Sequence, residues 1–388
     1  MSIRRLPIFL VYILLSFAAE LSGQDLNRRV RELPLPDSAE CARAATHKLK
    51  VTLRFGYLAD NREASSLRSR TEHNRAGFPE RVYEFGDDGI ITAKHRYSYE
   101  NSGQRLRELV SEQFRAGELI STSTAKYDAG ERLVDFRFRS AGEREFRVAF
   151  TYDPQGQLLS RQDFEPDGLP GGVTVHAYDP AGRRTETIDF AIGSVVKRRI
   201  RYTYSPEGRL EQETHFLHSN TLLFTLDYAY DPAGRKIEAF RRGRKGNLLG
   251  EETWRYDAAG REVEHTVLGP GEIQPMRMVT YYDPAGQKVE YQTFDNDGSI
   301  FQWFQYDYDS TGTGAGYRRL YPDGRLDAQL RERYDAQGRI TEYHLTFTDA
   351  SSDQHITYRY DDTGLPMEEK HRSLGQEAAV YWFVFERY

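Results

Sequence analysis

Nine tyrosines, Tyr152, Tyr178, Tyr204, Tyr230, Tyr256, Tyr282, Tyr308, Tyr334 and Tyr360, stand 26 residues apart with no insertion or deletion between them. Self-similarity at a fixed period of roughly 20 to 50 residues marks a repeat array, whose units pack on their neighbours. Each tyrosine opens a variant of Tyr178-Asp179-Pro180-Ala181-Gly182-Arg183. Asp, Pro and Gly at the first, second and fourth positions after it suit a type I turn. A left-handed Gly after that turn makes a hairpin with a bulge. Asp follows the tyrosine in eight of the nine copies, Ser205 being the exception, and every copy has the Gly.

A second turn falls about half a period later, as in Glu165-Pro166-Asp167-Gly168, Asp295-Asn296-Asp297-Gly298 and Tyr321-Pro322-Asp323-Gly324. Two turns per period leave two strands of about eight residues. Before the main turn, rings alternate with small or polar residues, as in Tyr202-Thr203-Tyr204, Tyr228-Ala229-Tyr230 and Trp254-Arg255-Tyr256. Period-two alternation places those rings on one face of a strand.

These hexapeptides resemble the YD repeats of the RHS family, which also occur in teneurins and in the shell subunits of insecticidal toxin complexes. The resemblance covers residues 74 to 388, with regular phase from 152. It implies an all-β antiparallel sheet of about twelve stacked hairpins, expected as an open twisted or spiralling sheet or a partly closed one; in that family the sheet sometimes closes into a shell. The segment after Tyr360 is about one repeat long and lacks the block that precedes the toxin domain in larger members. A toxin-delivery role is therefore not carried over.

Residues 1–24 read as a signal peptide: Arg4 and Arg5 precede an apolar core from Leu6 to Ala19 that is short for a membrane span. Export to the periplasm, cell surface or medium is expected, with no stable span after cleavage. Residues 25–36 form a linker, and 37–73 an N-terminal cap whose short helix starts at Asp37 or Ser38, with a first strand over Val51 to Leu58. Tyr127-Asp128-Ala129-Gly130 reads as a turn one residue short. Cys41 is the only cysteine, so no internal disulfide is possible and sheet packing must hold the fold. A net charge of −6, dispersed along the chain, argues against nucleic-acid binding, which needs a clustered basic surface.

No catalytic, cofactor or metal constellation stands out. Arg183, Arg209, Arg235 and Arg261 recur five residues after the repeat tyrosine, and Glu186, Glu238 and Glu264 eight after it. Stacked repeats place both ladders on a sheet face, where cross-strand ion pairs are the plain reading. The sharper one is a ligand face of Tyr202, Tyr228, Trp254 and those arginines, with rings and guanidinium forks binding carbohydrate or a protein partner. Val380, Trp382, Phe383 and Phe385 lie in a last strand apolar on both parities, which must be covered by the N-terminal segment, by the first repeats or by another molecule. A non-catalytic exported binding scaffold is the favoured function. The alternatives are a structural shell or delivery component of an RHS-like toxin system, and a hydrolase of unrecognised type.

Overall fold

The computed structural model describes residues 33–58, 66–100, 104–218, 220–271, 274–349, 353–374 and 376–388. The expected leader and most of the linker lie outside them. The Asp37 carboxylate accepts from the Ala39 and Glu40 amides at 2.8 and 3.0 Å, opening helix α1 over Ser38–Thr46. Among the described residues, twenty-six strands, β1 to β26, follow in chain order.

Every strand pairs antiparallel with its chain neighbours, and β1 (Leu49–Leu58) pairs with β26 (Gln376–Arg387) from Leu49↔Arg387 to Leu58↔Ala379. The sheet is thus a closed up-and-down barrel, which corrects the expected open spiral. The count also exceeds about twelve hairpins, because β1 and β2 (Ser66–His73), within the stretch read as a cap, join the sheet. Closure has a plain cause: an open sheet would leave the backbone of β1 and β26 unpaired, whereas a ring has no edge.

The expected turn forms. Between β10 (Pro170–Tyr178) and β11 (Arg184–Ala191), the Gly182 amide donates to the Asp179 carbonyl, the Asp179 amide donates to the Arg183 carbonyl, and Gly182 has φ +79°. Register shifts between Ala177 and Tyr178, as a bulge requires. The copy at Tyr127 is complete rather than shortened. Glu131 donates to the Asp128 carbonyl and holds the left-handed position at φ +59°.

All repeat tyrosines share one sheet face, and its residues are the more buried. In β22 (Leu326–Tyr334), Ala328 and Leu330 are buried while Arg331 and Arg333 are exposed. Curvature crowds side chains on the concave side of a closed sheet, so the tyrosine face is the inner one. Strand spacing near 4.8 Å gives a perimeter of about 125 Å, or about 40 Å across if circular. The chief buried cluster lies on β4 (Ile91–Glu100) through β8 (Phe146–Tyr152), where Tyr97, Leu109, Phe136 and Val148 pack under Leu33. A smaller one joins Ala44 of α1 to Leu49 and Leu365 beside the β1–β26 seam. Gly77 admits the helix there, since a Cβ would collide with the Cys41 carbonyl and the Ala45 amide. Cys41 itself is buried.

Candidate functional site

The turn arginines act at the rim of the barrel rather than on a sheet face. Arg235 Nε donates to Asp231 Oδ2 of its own turn at 2.6 Å, and its guanidinium lies 4.7 Å from the centre of the Tyr256 ring in the next repeat. Arg183 pairs likewise with Asp179 and covers Tyr204; Arg261 pairs with Asp257 and covers Tyr282. Arg209 follows Ser205, so its Nη1 donates instead to the Asp231 carbonyl at 3.4 Å. A carboxylate four residues away, reached by a planar fork, outcompetes more distant glutamates. Glu186 pairs on the outer face with Arg199 and Arg201. The tyrosine hydroxyls complete the clasp: Tyr178, Tyr204, Tyr230 and Tyr256 donate to carbonyls twenty residues earlier, at 2.8 to 2.9 Å.

On the inner face, β13 (Leu210–Leu217) through β17 (Glu262–Leu268) carry a connected set of rings and charges. Lys236 Nζ sits 4.7 Å from the Tyr228 ring centre and 4.9 Å from that of Trp254. The indole stacks on His265 at 4.7 Å, and His265 meets Glu252 at 3.1 Å. Tyr228 donates to Glu213 at 3.0 Å, and the other oxygen of that carboxylate meets His215 at 3.1 Å. Burial, with Glu213 second, pushes the Tyr228 pKa well up. Tyr202 lies two residues before Tyr204 on the same face, 3.5 Å from the Thr187 hydroxyl.

Of the residues singled out in the sequence, Tyr202, Tyr228 and Trp254 therefore share a face, while the four arginines form a separate row along the turns. Lys236 and the two His–Glu pairs were missed. A signal existed: counting outward from the Asp257 turn sets Trp254 opposite His265.

No protein-family model matches the chain, and no curated protein matches it. Among solved structures it is similar to TcdB2-TccC3 without its hypervariable C-terminal region, at 11% identity over 92% of this chain and TM-score 0.33. It is also similar to the Tc holotoxin pore of Photorhabdus luminescens, at 12% identity over 89% of the chain and TM-score 0.27. A porin-like protein from Bacteroides uniformis aligns at 8% identity over 88% of this chain and 97% of its own, with TM-score 0.22. The chain spans 28% of the length of TcdB2-TccC3 and 25% of the pore component.

At the seam, β26 has its backbone paired on both sides, by β1 and by β25 (Pro366–Ser373). Coverage varies along one face, Val380 being 5% exposed and Val384, four residues on, 47%. Trp382 stacks on Phe55 at 6.0 Å, and Phe383 and Phe385 stack on each other at 6.5 Å. The Arg54 guanidinium lies 3.8 Å from the Tyr381 ring centre and pairs with Glu369 at 3.3 Å.

Proposed function

We propose that the chain is an exported, non-catalytic YD-repeat scaffold whose inner face binds a carbohydrate chain or a segment of a protein partner. The observation that carries this reading is the Tyr228–Lys236–Trp254 arrangement on a half-buried face. Rings and charged groups stand there side by side, a combination suited to a polar ligand with apolar patches. The outer face supports a protein working in water: Arg255–Glu264 and Arg333–Glu342 ion pairs occupy positions where a membrane barrel carries an apolar band. Among the described residues no helix is long and apolar enough to cross a membrane.

The test follows Trp254, the one tryptophan on the inner face among the described residues. Neutral and uronic-acid polysaccharides and extended peptides are titrated while fluorescence is recorded from the wild type and from Trp254→Phe. Saturable quenching that disappears in the variant supports the reading; no ligand-dependent change in any titration defeats it. Export is checked by fusing residues 1–30 to a reporter active only outside the cytoplasm, and silence from that fusion removes the localisation.

Closure of β1 on β26 favours a second reading, a structural shell around an enclosed molecule. Small-angle scattering separates a hollow ring from a collapsed sheet.

A further inference from the structure

Among the described residues, six large hydrophobic side chains are more than half exposed, and five of them, Leu169, Ile192, Val195, Phe301 and Leu374, lie at one end of the barrel. That end is built by the mid-repeat turns. Leu248, at the first position of β16 (Leu248–Tyr256), adds to the row at 47% exposure. Adjacent hairpin tips are about 10 Å apart, two strand spacings, so these side chains follow the rim as a dotted arc. On the opposite rim, the turns at Asp179, Asp231, Asp257 and Asp335 each hold an Asp–Arg pair that neutralises itself.

Exposed apolar groups gathered at one end of a water-soluble protein mark an interaction surface. The charge around them indicates what it meets. Asp87, Asp88, Glu165, Asp167, Asp295 and Asp297 all lie in mid-repeat turns, and in the described turns carboxylates outnumber cations such as Arg244 and Lys245. We propose that the mid-repeat rim is a docking surface for a protein partner that presents apolar residues flanked by lysine and arginine, seated across the mouth of the barrel. A second copy meeting rim to rim would bring like charges together, and the acidic lipids of a bilayer would do the same.

The experiment uses the full chain and two labelled amphipathic helical peptides, one of Leu and Lys, the other of Leu and Glu, read by fluorescence anisotropy. The Lys peptide should bind at least about tenfold more tightly than the Glu peptide, a difference of about 1.4 kcal/mol. Leu169→Ser, Ile192→Ser, Val195→Ser and Phe301→Ser combined should weaken it by a further tenfold or so without moving the melting temperature. Should the combined variant fail to fold, Phe301→Ser alone takes its place, that side chain being 66% exposed. Equal affinity for both peptides, binding of neither, or binding indifferent to the substitutions overturns the proposal. Rim-dependent uptake by phosphatidylcholine vesicles overturns it in favour of lipid. Rim-dependent dimerisation, seen by mass in solution, overturns it in favour of a second copy.

Discussion

Arg235 and Tyr256, twenty-one residues apart in the chain, face each other with the guanidinium 4.7 Å from the ring centre. The arginine is held by Asp231 at 2.6 Å and the tyrosine by the Lys236 carbonyl at 2.8 Å. A repeat with an Asp–Arg turn thus grips the next one there, where strand pairing alone would leave the hairpins free to splay. Removing the phenol hydroxyl in Tyr256→Phe should cost about 0.5 to 1.5 kcal/mol. Tyr281→Phe should cost less, because that ring stands 48% exposed on the outer face. Urea unfolding of both variants decides it, and equal losses would show that the cross-repeat bond contributes nothing special.

Acid should loosen the clasps together. The carboxyls of Asp179, Asp231 and Asp257 are held below their ordinary range, chiefly by the backbone amides of Arg183, Arg235 and Arg261. A carboxyl with a folded pKa below its unfolded value of about 3.9 adds stability that is present above that value. The contribution is lost as pH falls through the folded pKa. Melting temperature should therefore stay flat from pH 7 to about 5 and drop below about 4. Asp→Asn at the three positions should lower it at pH 7 and flatten the acid limb; an unchanged acid limb would remove the clasps from the explanation.

The left-handed turn positions predict opposite signs for two substitutions. Gly182 and Gly234 have φ of +79° and +83°, so Val at either should destabilise by about 1 to 3 kcal/mol. Glu131 sits in the same position at φ +59° with a Cβ, and its carboxylate accepts only a long 3.3 Å bond from the Leu106 amide. Glu131→Gly should stabilise by about 0.5 to 1 kcal/mol. Denaturant midpoints check both, and a destabilised glycine variant would show that the carboxylate outweighs the strain.

Alkali should act late. Burial pushes Tyr127 and Tyr358 up to about 12, and Tyr228 also upward. A phenol whose folded pKa exceeds its unfolded value of about 10 contributes stability that is complete below 10 and lost as pH rises through 12. Absorbance at 295 nm should lag in the native protein behind the protein in urea, then climb steeply as the sheet opens. Superimposed native and urea curves would contradict the burial of these rings.

Deleting residues 379–388 removes most of the strand that β1 and β25 both pair with. The expected result is aggregation, since two strand edges open at once. A truncated protein that remains soluble, monomeric and equally stable by light scattering and melting would show that the seam is dispensable.

The turn, the hairpin and the sharing of one face by the tyrosines were legible, because Asp-Pro-Ala-Gly and strict alternation act locally. The helix start was legible for the same reason, Asp37 being a cap. Closure was not. No residue encodes it; it is the sum of small strand-to-strand rotations over the whole sheet, and the apolar character of Val380 to Phe385 required a cover without choosing among the N-terminal segment, the first repeats and another molecule. Arg183, Arg235 and Arg261 were placed on a sheet face because counting along the chain ignores how far a guanidinium reaches back to its own turn. The Tyr127 turn was misread because Glu131 stands where only glycine was expected. Trp254 and Tyr228 were found as rings on one face, whereas Lys236 between them belongs to the adjoining strand and becomes visible only once strands are set in register.

The pairing of β1 with β26 makes size a discrete quantity in this architecture. In an open stack, an added repeat lengthens the molecule and leaves its interior unchanged. In a ring it widens the aperture, by about 10 Å of perimeter and about 3 Å of bore for each hairpin. Duplication or loss of one 26-residue unit would therefore change the bore of the ring by a fixed step, with the remaining turn clasps left intact.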